Sequence, residues 1–200
     1  DSPVIYISAS SYIPPINVQA LSNNNRYLAV GTGNIFTPEN TVQVWDLETN
    51  TLLSSLDDIE GNVLSLAHHP ESSIIAIGDS TGQLLLWDYE SSTIIDSWQA
   101  HEREILSMMF IDHETLATGS ADEFIRVWDI TSGQQQYAFK SPNGAVRNIT
   151  FDNTSSLGTF SDTLTSYSLS EQEQSLQLIC SHGDELGAIA FSPDHQFRAL

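Results

Sequence analysis

The sequence predicts an all-β chain built from repeated four-stranded antiparallel units, and three observations predict it. An apolar residue followed by Trp-Asp recurs as Val44-Trp45-Asp46, Leu86-Trp87-Asp88 and Val127-Trp128-Asp129, the tryptophans 42 and then 41 residues apart. A fixed period of that length marks a supersecondary unit that covers its apolar faces by stacking on its neighbours. Between the triplets, short β-branched or aromatic runs alternate with Gly/Asp/Asn/Ser clusters, as strands joined by hairpin turns do. No window sustains the apolar period of a helix.

The best-preserved copy is the third, residues 100–140. Ala100-His101 precedes the run Ile105-Leu106-Ser107-Met108-Met109-Phe110, a polar turn (Asp112, His113, Glu114) and Leu116-Ala117-Thr118-Gly119-Ser120. The turn Ala121-Asp122-Glu123 leads into Phe124-Ile125-Arg126-Val127-Trp128-Asp129, and Thr131-Ser132-Gly133 into a strand around Tyr137-Ala138-Phe139. Alignment on the tryptophans predicts strands at 16–21, 27–31 and 42–46 in a first copy (12–56). A second copy (57–99) has strands at 63–67, 74–78, 84–88 and 93–98. In a degenerate fourth copy (141–180), with strands at 146–151, 156–160, 164–169 and 176–180, Tyr167 takes the Trp position. A fifth opens at 181–200 with Ser181-His182 and Leu186-Gly187-Ala188-Ile189-Ala190-Phe191. Residues 1–11, with Val4-Ile5-Tyr6-Ile7, read as the outer strand of a preceding unit.

These repeats resemble the WD-repeat family over essentially the whole chain, and three Trp-Asp ends in register are a specific signal. The resemblance implies a β-propeller of four-stranded antiparallel blades stacked radially around a channel, with about four and a half blades in these residues. Rings of this family usually have seven or eight blades. The chain is therefore expected to be an internal part of a longer ring, or else a half-ring that closes by self-association.

The family also implies a hydrogen-bonded tetrad of His, Ser/Thr, Asp and Trp within a blade. His101, Thr118, Asp122 and Trp128 match all four positions in the third copy. The second copy has Ile59, Ile77 and Thr81 where His, Ser/Thr and Asp belong and keeps only Trp87. The first copy has Tyr12 and Val30, with an insertion over residues 34–40 before Trp45. In the fourth, Pro142 sits at the His position. Tetrad stabilisation is expected in one blade, and apolar packing in the others.

Composition narrows the partner. Twenty-six acidic residues stand against six basic ones, a net charge of −20 with one lysine, Lys140. Such a charge repels phosphate backbones and anionic headgroups, so neither nucleic acid nor a membrane is the expected partner. A protein with a basic surface is one expectation. Adaptation of the whole proteome to salt is the other, because the acids are spread over every repeat. A single cysteine, Cys180, excludes an internal disulfide framework and lies in an apolar run as a buried thiol would. No secretory leader or membrane-length apolar run appears in the sequence, so the expected location is the cytoplasm.

Neither a metal nor another cofactor is expected. Adjacent His68-His69 would point to opposite faces of a strand, and Asp57-Asp58 with Glu60 lacks the alternating ligands of a calcium loop. The sequence contains no glycine-rich phosphate loop or His-Glu-x-x-His, and a catalytic role is not expected. In WD-repeat proteins partners commonly dock on the loops before the inner strand and between the second and third strands. That implies candidate contacts at Arg103, Glu104 and Glu123, at Arg147, and at Asp184 and Glu185. Phe36, in the insertion, is a further candidate or else packs on its own blade; the arginines equally suit neutralisation of acidic neighbours within a blade. The function implied is a rigid protein–protein interaction scaffold. The alternative is a sensory or regulatory propeller within a larger protein whose catalytic domain lies elsewhere.

Overall fold

The computed structural model describes residues 15–33, 40–142, 144–151, 156–160, 164–169, 174–175, 189–191 and 197–199. They form four antiparallel four-stranded sheets and one two-stranded sheet, each with its strands in chain order. Blade 1 comprises β1 (Ile16–Leu21), β2 (Tyr27–Thr32), β3 (Val42–Asp46) and β4 (Thr51–Leu56). Blade 2 comprises β5 (Val63–His68), β6 (Ile74–Asp79), β7 (Gln83–Asp88) and β8 (Thr93–Gln99), and blade 3 β9 (Ile105–Phe110), β10 (Thr115–Ser120), β11 (Phe124–Asp129) and β12 (Gln134–Lys140). Blade 4 holds β13 (Ile149–Phe151), β14 (Ser156–Phe160), β15 (Leu164–Ser168) and β16 (Gln174–Ser175), and β17 (Ile189–Phe191) pairs with β18 (Phe197–Ala199).

The Trp-Asp triplet has a local cause. In each of the first three blades the pairing of third and fourth strands slips at the bond before the Trp, at Val44/Trp45, Leu86/Trp87 and Val127/Trp128. Such a bulge bends the strand and increases its twist. The Asp that follows closes the hairpin: one Asp46 oxygen accepts the N–H groups of Glu48 and Thr49, and Asp129 those of Thr131 and Ser132. This side chain-to-backbone turn is what suits Asp to the position. Four residues after each Asp the chain turns left-handed, at Asn50, Ser92 and Gly133.

The apolar clusters lie between blades, not within them. Val42, Val44, Val63, Ile75, Ile77 and Trp87 join blades 1 and 2, while Leu84, Leu86, Ile105, Leu116 and Trp128 join blades 2 and 3. Ala117, Ile125, Val127, Phe139, Leu157 and Tyr167 join blades 3 and 4. A blade is thus stable only beside another, which is why the period is visible at all.

Blade 4 departs from the expected ranges. Its inner strand starts at Ile149, not at Val146, because Val146 spends its backbone on blade 3: its N–H donates to Ser120 O at 2.9 Å and its carbonyl accepts from Ser107 Oγ at 3.2 Å. Its outer strand lies at Gln174–Ser175, ahead of the expected 176–180, which falls outside the described residues. The strand expected within 1–11, the insertion at 34–39, Cys180, and the loop at 183–185 lie outside them as well.

Candidate functional site

His101, Thr118, Asp122 and Trp128 meet in blade 3 as one directional chain. Trp128 Nε1–H donates to Thr118 Oγ1 at 2.9 Å, and the Thr118 hydroxyl donates to His101 Nε2 at 2.7 Å. His101 Nδ1–H then donates to the Asp122 carboxylate, at 3.0 and 3.1 Å from its two oxygens. A proton on Nδ1 faces the Asp122 carboxylate, and Arg126 Nη1 also lies 2.7 Å from that nitrogen. Burial, opposed in part by Asp122, pushes the His101 pKa down to about 4, so the ring is neutral as the chain requires. Burial works against the Asp122 carboxylate too, but His101, the Phe124 N–H and Arg126 together hold it below the ordinary range.

Arg126 belongs to this network and was not singled out by motif. Its Nη1 donates to Asp122 Oδ2 at 2.8 Å and to the Ala100 carbonyl at 3.0 Å. The available signal is its position: a charged residue between buried Ile125 and Val127, four residues after Asp122. In blade 4 buried Thr159 sits in the register Thr118 has in blade 3. Burial raises the pKa of the Tyr167 phenol, whose hydroxyl lies near Thr159 and Ser141. In blade 2 Ile77 stands at that position, and buried Trp87 Nε1 has no hydrogen-bond partner. Trp45 is only half-buried and turns its indole N–H to its own strand, to Gln43 Oε1 at 3.3 Å.

The network fixes the loop that leads into β9 against the turn between β10 and β11. Ala121 N–H donates to Glu104 O at 3.0 Å, Ser120 Oγ to Arg103 O at 3.3 Å, and Glu102 N–H to Asp122 at 3.2 Å. Arg103, Glu104 and Glu123 therefore share one face. Arg103 is engaged within its blade, Nη1 on the Ala121 carbonyl at 3.2 Å and Nε 3.5 Å from Glu104. Glu123 pairs with Lys140 at 3.5 Å. Arg147 is exposed and forms no ion pair among the described residues. Phe36, Asp184 and Glu185 lie outside the described residues. Among the described residues no group of three His, Cys, Asp or Glu could hold a metal ion, and no helix is long and apolar enough to cross a membrane.

Comparison with known proteins gives a consistent family. The model of the anaphase-promoting complex subunit 4 WD40 domain matches residues 35–113. WD repeat-containing protein 90 of Homo sapiens is 28% identical over 185 residues, 90% of this chain and 10% of that protein. The DENN domain and WD repeat-containing protein SCD1 of Arabidopsis thaliana is 25% identical over 113 residues, 56% of this chain and 9% of that protein. The chain thus spans about a tenth of the length of these two relatives. The solved structure of U3-55K superposes with a TM-score of 0.79 at 14% identity, covering 91% of this chain and 57% of that one.

Proposed function

We propose that this chain, a member of the WD-repeat family of β-propellers, serves as a rigid, non-enzymatic platform for a protein partner with a basic surface. The observation that carries the proposal is the fixed face of blade 3. The loops bearing Arg103, Glu104 and Glu123 are tied down by backbone bonds and by the Asp122 carboxylate. A partner docking there would order little chain, which keeps the entropic cost of association low. The chain's net charge of −20 favours basic partners through steering and complementarity.

A second reading is a regulatory propeller inside a larger protein. It is favoured by the small share of its relatives that the chain spans, one of which is described as carrying a DENN domain as well as WD repeats. Photocrosslinkers placed at Arg103 and Glu123, with Gln135 on the outer strand of blade 3 as control, test the platform. Capture of one protein from both loop positions and not from Gln135 supports it; equal capture at all three, or none, overturns it.

A further inference from the structure

The outer strands of the first three blades share a register but differ in chemistry. The residue paired with the Trp is Leu52 in β4, Ile94 in β8 and Gln135 in β12. The next residue, passed over by the bulge, is Leu53, Ile95 or Gln136. All six are exposed, Leu52 and Leu53 by 44% and 46%, Ile94 and Ile95 by 49% and 52%.

Blade 3 folds with glutamine at both places, so the blade itself does not demand hydrocarbon there. Four large aliphatic side chains left in water forgo the free energy of their burial. Strands β4 and β8 are also end strands, whose outer backbone edge pairs with nothing among the described residues. An exposed apolar edge of this kind is a template for a further strand. The two apolar pairs belong to one stretch of the rim: Ser54 Oγ lies 2.9 Å from Ser92 Oγ across the boundary between blades 1 and 2. Leu53 and Ile94 thus stand one and two residues from a direct contact between the blades.

Charge decides what this rim accepts. No lysine or arginine occurs between Arg26 and Arg103. Glu90, in the turn that opens β8, and Asp96, next to Ile95, are exposed, as are Asp57 and Asp58 just after β4. None of the four is in an ion pair among the described residues. A second copy would bring the same carboxylates and a further charge of −20 to the contact, which like-charge repulsion opposes. A strand that carries lysine or arginine beside its apolar residues meets both features of the rim.

We propose that the outer edge of blades 1 and 2 receives an extended segment of a partner protein. Its backbone pairs along β8, its apolar residues lie on Ile94, Ile95, Leu52 and Leu53, and its flanking lysine or arginine meets Glu90 and Asp96. This surface is separate from the blade 3 loops and does not depend on them.

The test follows the polarisation of a fluorescein-labelled peptide of alternating valine and threonine, with two lysines at each end, added to the whole protein. Saturable binding is expected. It should be at least about tenfold weaker when glutamates replace the lysines or prolines replace the two central residues. Ile94→Gln with Ile95→Gln, which installs the residues of blade 3, should weaken binding about tenfold. Glu90→Gln with Asp96→Asn should weaken it about threefold or more, and Glu102→Gln with Glu123→Gln, on the loops, should change it less than about twofold. Absence of binding, or binding indifferent to the lysines, to the prolines or to Ile94→Gln with Ile95→Gln, overturns the site. So does a protein that sediments as a dimer and becomes monomeric in that variant, because the edge would then belong to a second copy. Failure of the platform reading looks different: the crosslinkers at Arg103 and Glu123 capture nothing, while peptide binding and its loss in the Ile94/Ile95 variant remain.

Discussion

The Thr118 hydroxyl oxygen accepts the Trp128 indole N–H at 2.9 Å. In blade 2 the same register is Ile77, and Trp87 Nε1 is left buried without an acceptor. Thr118→Val keeps the shape and removes the oxygen. It leaves both the Trp128 N–H and His101 Nε2 unpaired, and a loss of about 2–4 kcal/mol is expected. Ile77→Val, which breaks no hydrogen bond, should lose only about 1 kcal/mol. Urea unfolding of the two variants measures the contrast, and equal losses would show that the tetrad adds no stability.

Acid should unfold the protein earlier than its carboxylates alone require. His68 and His101 have folded pKa values of about 4 against an ordinary 6.5. Between these values the unfolded chain binds more protons than the native one, so stability falls as pH drops through that window. The slope approaches about 1.4 kcal/mol per pH unit for each histidine. Below pH 4 both states are protonated at these rings, and this contribution is fully lost. Tm measured from pH 7 to 4 should fall, and His68→Phe should remove about half of the histidine-dependent slope. An unchanged slope in that variant would refute the assignment.

Two equivalent turns carry opposite substitutions. Gly82 in blade 2 has φ +86° and Glu123 in blade 3 has φ +71°. A Cβ on Gly82 would stand 2.2 Å from His101 O and 2.6 Å from Arg103 O, so Gly82→Ala adds a backbone clash to left-handed strain. A loss above about 2 kcal/mol is expected. Glu123→Gly relieves the strain and gives up only an exposed pair with Lys140, for a gain of about 0.5–1 kcal/mol. Thermal unfolding that shows both variants shifting Tm in the same direction would contradict this account.

Arg126 should prove as important as the motif residues around it. Its Nη1 is 2.8 Å from Asp122 and 3.0 Å from the Ala100 carbonyl. Arg126→Leu is expected to lose about 1–3 kcal/mol. In a cycle with Asp122→Asn the two should couple by about 1 kcal/mol or more. Strict additivity would mean that the contact is incidental.

Some of this architecture was legible in the residues alone. Repetition of Val/Leu-Trp-Asp declared the blade, because the Asp side chain builds its own turn and the Trp follows a bulge, both local effects of a few residues. His101, Thr118, Asp122 and Trp128 could be chosen because each occupies a fixed place in a repeat. Arg126 was less legible: its place four residues after Asp122 was a signal, but its bond to the Ala100 carbonyl forms only when the chain before β9 folds against its strand. The late start of β13 was equally hidden: Val146 is apolar and strand-like, but its backbone bonds go to Ser120 and Ser107 of the neighbouring blade.

The sequence by itself determined the repeat, its strand order and the residues of the blade 3 network, because local turn chemistry and apolar alternation act over a few positions. Only the tertiary structure decided which faces meet. His68 reads on the strand as one more inward residue, and its neutrality, its unused nitrogen and its place beside Tyr27 and Tyr89 arise from packing against blade 1. Burial and hydrogen-bond competition between blades set those properties, and neither is written in any one repeat.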